Sequence, residues 1–378
     1  MSGVTSNLRE NLVVRESGLR VDHQIHLLPV LVIFPHNQCN CRCAMCDIWR
    51  IREAQEITPQ DLVYQLGALR DLGVQWVVFS GGEPQMNRQW YLLARMLRDV
   101  GIRVTLLTAG LLLEGEAERV TENMDDVIVS LDGPPAVHNA IRRVPNAYEQ
   151  MTTGVKALRQ LRPDMIVRAR CTVQKANHTS LRTTVLAAKE AEVNSISFLA
   201  ADVTSTAFNR PSGWSAERQD KVALSLLEVE ALHKELEHLI VECRHDLDSG
   251  FIVEAPDKLR RIVQHFRAYL GLAMHVAPRC NAPWVSAVIE ASGDVRPCFF
   301  HPAMGNIRNH TLTEILNAPA AVQFRQDLDI DSNPICRRCV CSLYMPQSGS
   351  RNSNDENRDC DLRPETVREF EEIQNSKE

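Results

Sequence analysis

LPVLVIFPHNQCNCRCAMCDIW, residues 28–49, runs an apolar segment into a loop that carries four cysteines within eight residues. Leu28 to Phe34 reads as a short buried strand that Pro35 ends. The thiols of Cys39, Cys41, Cys43 and Cys46 therefore follow a strand directly. Disulfides, zinc and an iron–sulfur cluster are the three physical roles for so dense a set.

The bulk composition narrows the choice. The chain has 378 residues, 44% of them hydrophobic and 24% charged, as in ordinary globular proteins. That length suits two domains, or one large α/β barrel with an appendage. A net charge of −6 argues against a nucleic-acid partner. The first twenty residues are polar and lack the apolar core of a signal peptide, and no apolar run reaches membrane-spanning length. The expected location is cytoplasmic, where a disulfide framework does not persist and clustered thiols serve metals or redox chemistry. Cys171 and Cys243 stand apart from the other cysteines and read as small buried hydrophobes.

The segment after the cysteine loop alternates strand and helix signals. Thr58 to Gly73 has a Thr cap, a proline at the first helical position and a glycine stop. VQWVVFSGGEP is a strand ending in a glycine turn, and NRQWYLLARMLRDVG a helix. IRVTLLTAG, DDVIVSLDGPP, MIVRARCTV and NSISFLA continue the strands, separated by helical sequence. Six strand–helix units between Leu28 and Ala200 predict a parallel sheet, whose site forms at the strands' carboxyl ends. The cysteine loop, GGEP and SLDG all fall at such ends. Beyond Asp202 the pattern becomes helical, with Val222, Leu226, Val229, Leu236, Ile240 and Cys243 at helical spacing. That stripe is expected to pack on the barrel, and a further helix spans about Asp257 to Leu270.

The front thiols have the spacing CxxxCxxC over Cys39, Cys43 and Cys46. Three thiolates so placed can wrap one cubane and leave one iron open, since a four-iron cluster takes four ligands. Zinc with Cys41 or His36 as fourth ligand remains the alternative at this point. The decisive addition is Ser80-Gly81-Gly82-Glu83-Pro84 at the next strand end. Its glycines permit close backbone approach, and its carboxylate can pair with an ammonium group.

With both motifs in place the sequence resembles the radical S-adenosylmethionine (SAM) superfamily, over about Leu28 to Cys339. The resemblance implies an α/β fold, a partial (β/α)6 TIM-type barrel. It implies a SAM-binding 4Fe–4S cluster on Cys39, Cys43 and Cys46, with Cys41 as a bystander. It also implies that Gly81, Gly82 and Glu83 meet the methionine ammonium. The segment SLDGPPAVHNAIR resembles the family's fourth-strand region, which would set Ser130 against the ribose and Arg142 against the methionine carboxylate.

The rear cysteines form a second set. Cys280 and Cys298 flank a predicted hairpin turning at Ser292-Gly293-Asp294, and CRRC supplies Cys336 and Cys339. Four thiols suffice for zinc or for a fully ligated cluster. Gly293, five residues before Cys298, and the later CxxC resemble the SPASM and twitch cluster domains of the same superfamily. Met345 and Gly349 stand where a full SPASM pattern has further cysteines. The resemblance therefore implies the twitch form, a C-terminal twitch/SPASM-like extension with one auxiliary 4Fe–4S cluster on Cys280, Cys298, Cys336 and Cys339. Cys341 can substitute within the last pair, and Cys360 is expected to be free. Phe299 occupies the place of an Asp found in sulfatase-maturing members, and His301 is a candidate base with a structural role as the alternative.

The expected division is an extension at residues 1–27, the barrel at 28–202, a helical insert at 203–272, the auxiliary domain at 273–345 and a mobile polar tail at 346–378. The expected function is a radical SAM oxidoreductase acting on a small metabolite, with flavodoxin or ferredoxin as electron donor. Peptide modification, by thioether or carbon–carbon bond formation, is the alternative within the family. A non-catalytic zinc or scaffold protein is the alternative outside it.

Overall fold

A computed structural model describes residues 23–345, so Cys360 and the polar tail lie outside the described residues. Six parallel strands follow one another in the sheet: β1 (Val30–His36), β2 (Trp76–Gly81), β3 (Arg103–Thr108), β4 (Asp126–Ser130), β5 (Ile166–Val173) and β6 (Ser195–Ala200). Helices α1 (Pro59–Asp71), α2 (Trp90–Asp99), α3 (Ala117–Asn123), α4 (Pro135–Arg142), α5 (Ala147–Leu161) and α6 (Leu181–Glu190) return the chain between them. The sheet does not close on itself, and β6 lies at one edge, where Ile196 forms a parallel bridge with Ile252. This is the parallel sheet that the alternation of strands and helices predicts, in the partial barrel that the family resemblance implies.

Side-chain alternation divides the sheet's two faces. Val77, Phe79, Val104, Leu106, Val127 and Val129 have no exposed surface and belong to the large core that also contains the buried helix residues. Each such side chain contributes about 1.5–3 kcal/mol when fully buried. The opposite face carries Val30, Val32, Trp76 and Val78, packed with residues of the C-terminal part. Helix α1 begins as its sequence suggests: Thr58 and Asp61 form a capping box and Pro59 occupies the first turn.

Strand β1 runs two residues past Phe34, through Pro35 to His36. The proline is accommodated because the register with β2 shifts between Ile33 and His36. The C-terminal hairpin also departs from expectation. Residues Ala282–Val285 are a short helical turn, and only β7 (Ser286–Ile289) and β8 (Asp294–Arg296) pair as the hairpin. β7 then lies parallel to β1, Val30 opposite Ser286, and β9 (Gly305–Asn306) completes a nine-stranded sheet. The C-terminal part is thus a continuation of the barrel sheet beyond β1. Gln65 of α1 secures it, donating to the Ile307 carbonyl at 2.8 Å and accepting from the Leu312 amide at 2.7 Å.

The helical segment after β6 packs on the barrel. Helix α7 (Leu226–Glu242) buries Val229, Leu232, Leu236 and Leu239 and contacts α6 and α8 (Pro256–Tyr269), which in turn lies on β6. The helix starts at the Ser225 cap, so Val222 joins a separate cluster with Ala201, Val203 and Trp214. Leu226 is largely exposed.

Candidate active site at the carboxyl end of the sheet

The cysteine loop has little regular structure of its own, and its backbone is bound from three sides. From β2, the Gly82 amide donates to the His36 carbonyl (3.3 Å) and the Glu83 amide to that of Gln38 (2.8 Å). From α4, the carbonyls of Arg142 and Ile141 accept from the amides of Arg42 and Ala44, each at 3.0 Å. The third side is a strap after β6. There Arg210 donates to the Met45 carbonyl (2.5 Å), Arg218 to that of Ala44 (2.8 Å) and Asn209 to that of Asp47 (3.0 Å). The Trp214 indole donates to the Asp47 carboxylate at 2.6 Å, while Arg210 stacks over the Trp214 ring and pairs with Asp202.

Held in this way, Cys39, Cys41, Cys43 and Cys46 pack together beside Ala109. Hydrogen bonds with Cys39 and Cys43, together with burial, push the Cys41 pKa up. Cys43 is lowered to about 6, first by the hydrogen bond from Cys41, with the Arg142 guanidinium adding to it against the penalty of burial. Burial pushes Cys46 up to about 12, helped by the charge on Cys43. Among the described residues no three His, Cys, Asp or Glu side chains converge as the ligands of one metal ion.

The residues expected to face SAM have mixed surroundings. Glu83 is fully buried and accepts from the Thr108 hydroxyl and the Ala109 amide, each at 2.9 Å, and from the Gln85 amide at 3.3 Å. Burial raises its pKa to about 7 against those donors. Gly82 presses against the loop so closely that a Cβ there would meet the Gln38 carbonyl oxygen at 2.0 Å, and Gly81 has φ +105°. The close approach at Gly82 is to the cysteine loop's own backbone, and that at Gly81 to the Phe34 side chain of β1. Arg142 is buried, ion-paired with Asp132 at 2.6 Å, and donates to the Cys43 sulfur at 3.5 Å. Two residues unassigned in the sequence complete this corner: Asp132, which also accepts from the Thr172 amide, and His138, whose Nδ1 accepts from the Asp132 amide. Burial and the Arg142 charge lower His138 to about 3, so the ring is neutral. Ser130 ends β4, half-buried, opposite Arg170.

A cavity of about 320 Å³ opens beside Gly82, between the cysteine loop, the strap and the β7–β8 hairpin. Phe34, Phe208, Glu290, Arg296 and Phe299 line it. The Phe34 and Phe299 rings stack at 6.0 Å, joining the end of β1 to the residue after Cys298. Behind that contact, Cys280, Cys298, Cys336, Cys339 and Cys341 line one small cavity together with His301. The hairpin therefore brings Cys280 and Cys298 to the CxxC pair, and Cys341 joins them as a fifth thiol. Burial, with the charges of Cys298 and Cys280, raises Cys336 to about 12.

Comparison with known proteins bears on this arrangement. The profile of the radical SAM superfamily matches residues 33–173, and that of an iron–sulfur cluster-binding (SPASM) domain matches residues 280–340. Residues 33–173 are thus a radical SAM domain and residues 280–340 a SPASM-type cluster-binding domain. Over 127 residues it is 31% identical to an AdoMet-dependent heme synthase of Oleidesulfovibrio alaskensis, spanning 32% of this chain and 33% of that relative. A pre-heme d1 synthase of Dinoroseobacter shibae is 25% identical over 343 residues, covering 85% of this chain and 80% of the relative. Among solved structures, Streptococcus suis SuiB bound to S-adenosylmethionine superposes with a TM-score of 0.61 at 16% identity, over 91% of this chain and 79% of that one, a likeness of fold. No helix among the described residues is long and apolar enough to cross a membrane.

The radical SAM groups fit the residues present. In the front loop burial favours the protonated thiol at Cys46, while Cys43 is biased toward thiolate, the form that binds a metal. The fully buried Glu83 carboxylate has hydrogen-bond donors but no ion pair with any Lys or Arg among the described residues. Such a carboxylate is a suitable seat for an ammonium group.

Proposed function

We propose that this radical SAM enzyme oxidises a small metabolite, with Cys39, Cys43 and Cys46 holding the SAM-binding 4Fe–4S cluster and Cys280, Cys298, Cys336 and Cys339 an auxiliary one. The bound cluster and SAM supply a one-electron cleavage to methionine and a 5′-deoxyadenosyl radical, which takes a hydrogen atom from substrate. The observation that carries the assignment is the buried Glu83 carboxylate, without an ion pair among the described residues, beside a loop whose four cysteines pack in one cluster. Glu83 and the backbone of Gly81 and Gly82 orient the methionine ammonium. Ser130 faces the ribose. Arg142, anchored to Asp132, contributes positive charge beside Cys43 and toward the methionine carboxylate.

The cavity beside Gly82 is the substrate's place in this proposal, enclosed by Phe34, Phe208 and Phe299. Its volume of about 320 Å³ falls at the low end of small-molecule sites. The names of the relatives direct the substrate search to precursors of heme and heme d1. The rear cysteines, joined to this cavity through Phe299, hold the acceptor for the second electron of an oxidation. A flavodoxin or ferredoxin supplies the first.

Anaerobic reconstitution with iron and sulfide, followed by metal analysis and a SAM-cleavage assay, tests this. About eight irons per chain and dithionite-dependent 5′-deoxyadenosine are expected. Changing Cys39, Cys43 and Cys46 to Ala should remove about four irons and all 5′-deoxyadenosine. Zinc that persists through reconstitution would refute the proposal.

A further inference from the structure

His301 lies three residues after Cys298 and is buried to 2% exposure. Its Nε2 is 3.4 Å from the Cys336 sulfur. The ring stands edge-on to Phe324 with centroids 5.0 Å apart, and the His301 carbonyl accepts from Arg296 at 3.0 Å. Arg296 is itself paired with Glu290 at 2.8 Å. Ring and backbone are therefore both fixed, and the side chain faces the sulfur and not the cavity beside Gly82.

A sulfur that ligates iron has lost its proton and can only accept. A neutral imidazole at this distance must then present Nε2–H to it, with Nδ1 unprotonated. A hydrogen bond to a ligating sulfur favours the more negative, reduced cluster and raises its potential. We propose that His301 sets the reduction potential of the auxiliary cluster by donating Nε2–H to the Cys336 sulfur, holding that potential above what the thiolates alone would give. The proposal rests on the assignment of Cys336 as a ligand. It removes His301 from the candidates for substrate base, because the ring lies among the rear cysteines and does not line the cavity beside Gly82. The consequence for an oxidising enzyme is direct: a higher potential makes the auxiliary site a better acceptor of the substrate's second electron.

The experiment uses the full chain with Cys39, Cys43 and Cys46 changed to Ala, so that only the rear site holds iron. Its reduced fraction is followed by electron paramagnetic resonance (EPR) across a series of solution potentials. With His301→Leu, the ratio of reduced to oxidised cluster at fixed potential should fall about tenfold, or about 59 mV for one electron. His301→Gln, which keeps an N–H donor, should recover part of the shift. An unchanged midpoint in His301→Leu with iron content intact would overturn the proposal. Loss of iron in His301→Leu would overturn it in favour of ligation by the imidazole. In case the variant does not fold, the same histidine is probed in the unsubstituted rear site with 15N-histidine. A weak nitrogen coupling to the reduced cluster supports the hydrogen bond, a strong one means ligation, and none means that the contact is not made. Absence of iron from the triple-alanine chain itself would instead defeat the ligand assignment of the rear cysteines, and the proposal with it.

Discussion

Gly82→Ala isolates the contact on which the front site depends. A Cβ at this position would lie 2.0 Å from the Gln38 carbonyl oxygen and 2.6 Å from its carbon. Ordinary carbon–oxygen contact begins near 3.2 Å, so the loop must retreat by about 1.2 Å, and the obstacle is backbone, which cannot rotate away. The retreat breaks the 2.8 Å bond from the Glu83 amide to Gln38, worth about 1 kcal/mol. With over-packing of about 1–3 kcal/mol the total loss is about 2–4 kcal/mol. Gly67→Ala is the internal control, because a Cβ there meets nothing within 4 Å and the site is inside α1. That change should stabilise by about 0.5–1 kcal/mol. Urea denaturation of the apoproteins should show these opposite signs. Anaerobic iron analysis should show Gly82→Ala losing front-site iron while Gly67→Ala retains it. A Gly82→Ala protein with unaltered midpoint and iron content would refute the argument, since the loop would then be free to move without consequence.

Asp132→Asn should destabilise the apoprotein by about 3–5 kcal/mol in urea, because it leaves the buried Arg142 charge unpaired. Asp257→Asn, at an exposed partner of Arg260, should change stability by less than about 1 kcal/mol. Cys41→Ala should leave the iron content at the wild-type value if Cys39, Cys43 and Cys46 are the ligands, and a drop of about half would make Cys41 one of them. In the apoprotein the same change should raise the Cys43 thiol above its value of about 6, as read by thiolate absorbance, because the hydrogen bond from Cys41 is lost. Glu83, with its carboxyl raised from 4.5 to about 7, keeps its proton in the folded apoprotein where the unfolded chain has released it. Its contribution to stability should therefore fall as pH rises between about 4.5 and 7, and Glu83→Gln should remove that slope.

The strands were legible because each is a short apolar run ending at Gly, Pro or a polar cluster. The thiols were legible because cysteine spacing is written in the chain. Other features depend on partners distant in sequence. Nothing in Ser286–Ile289 announces that it pairs with Val30–Ile33, some 256 residues earlier, so the union of the C-terminal part with the barrel sheet had no local signal. Pro35 ended β1 in the sequence because its missing N–H interrupts a ladder, yet the register shift lets the strand pass it. Cys41 was set aside because it lies outside the family's cysteine triad, whereas the contacts that raise its pKa depend on where β2, α4 and the strap fix the loop. Arg142 was visible as a charge, whereas its commitment to Asp132 needed the fold.

The strap carries the same point into function. The segment from Ala201 to Arg218 follows the last barrel strand at the mouth, and its strongest groups face inward. Arg210, Trp214 and Arg218 are spent on Ala44, Met45 and Asp47, three residues interleaved with Cys43 and Cys46. A loop with so few internal hydrogen bonds needs external donors for its carbonyls, and the strap supplies them. Phe208 and Asn209 are the only non-glycine residues of the strap in the left-handed region, and that turn sends the Phe208 ring into the cavity as Asn209 reaches Asp47. The same two residues thus link cavity lining to loop anchoring. Substitutions selected for a different substrate at Phe208 therefore act on the geometry of the front thiols as well.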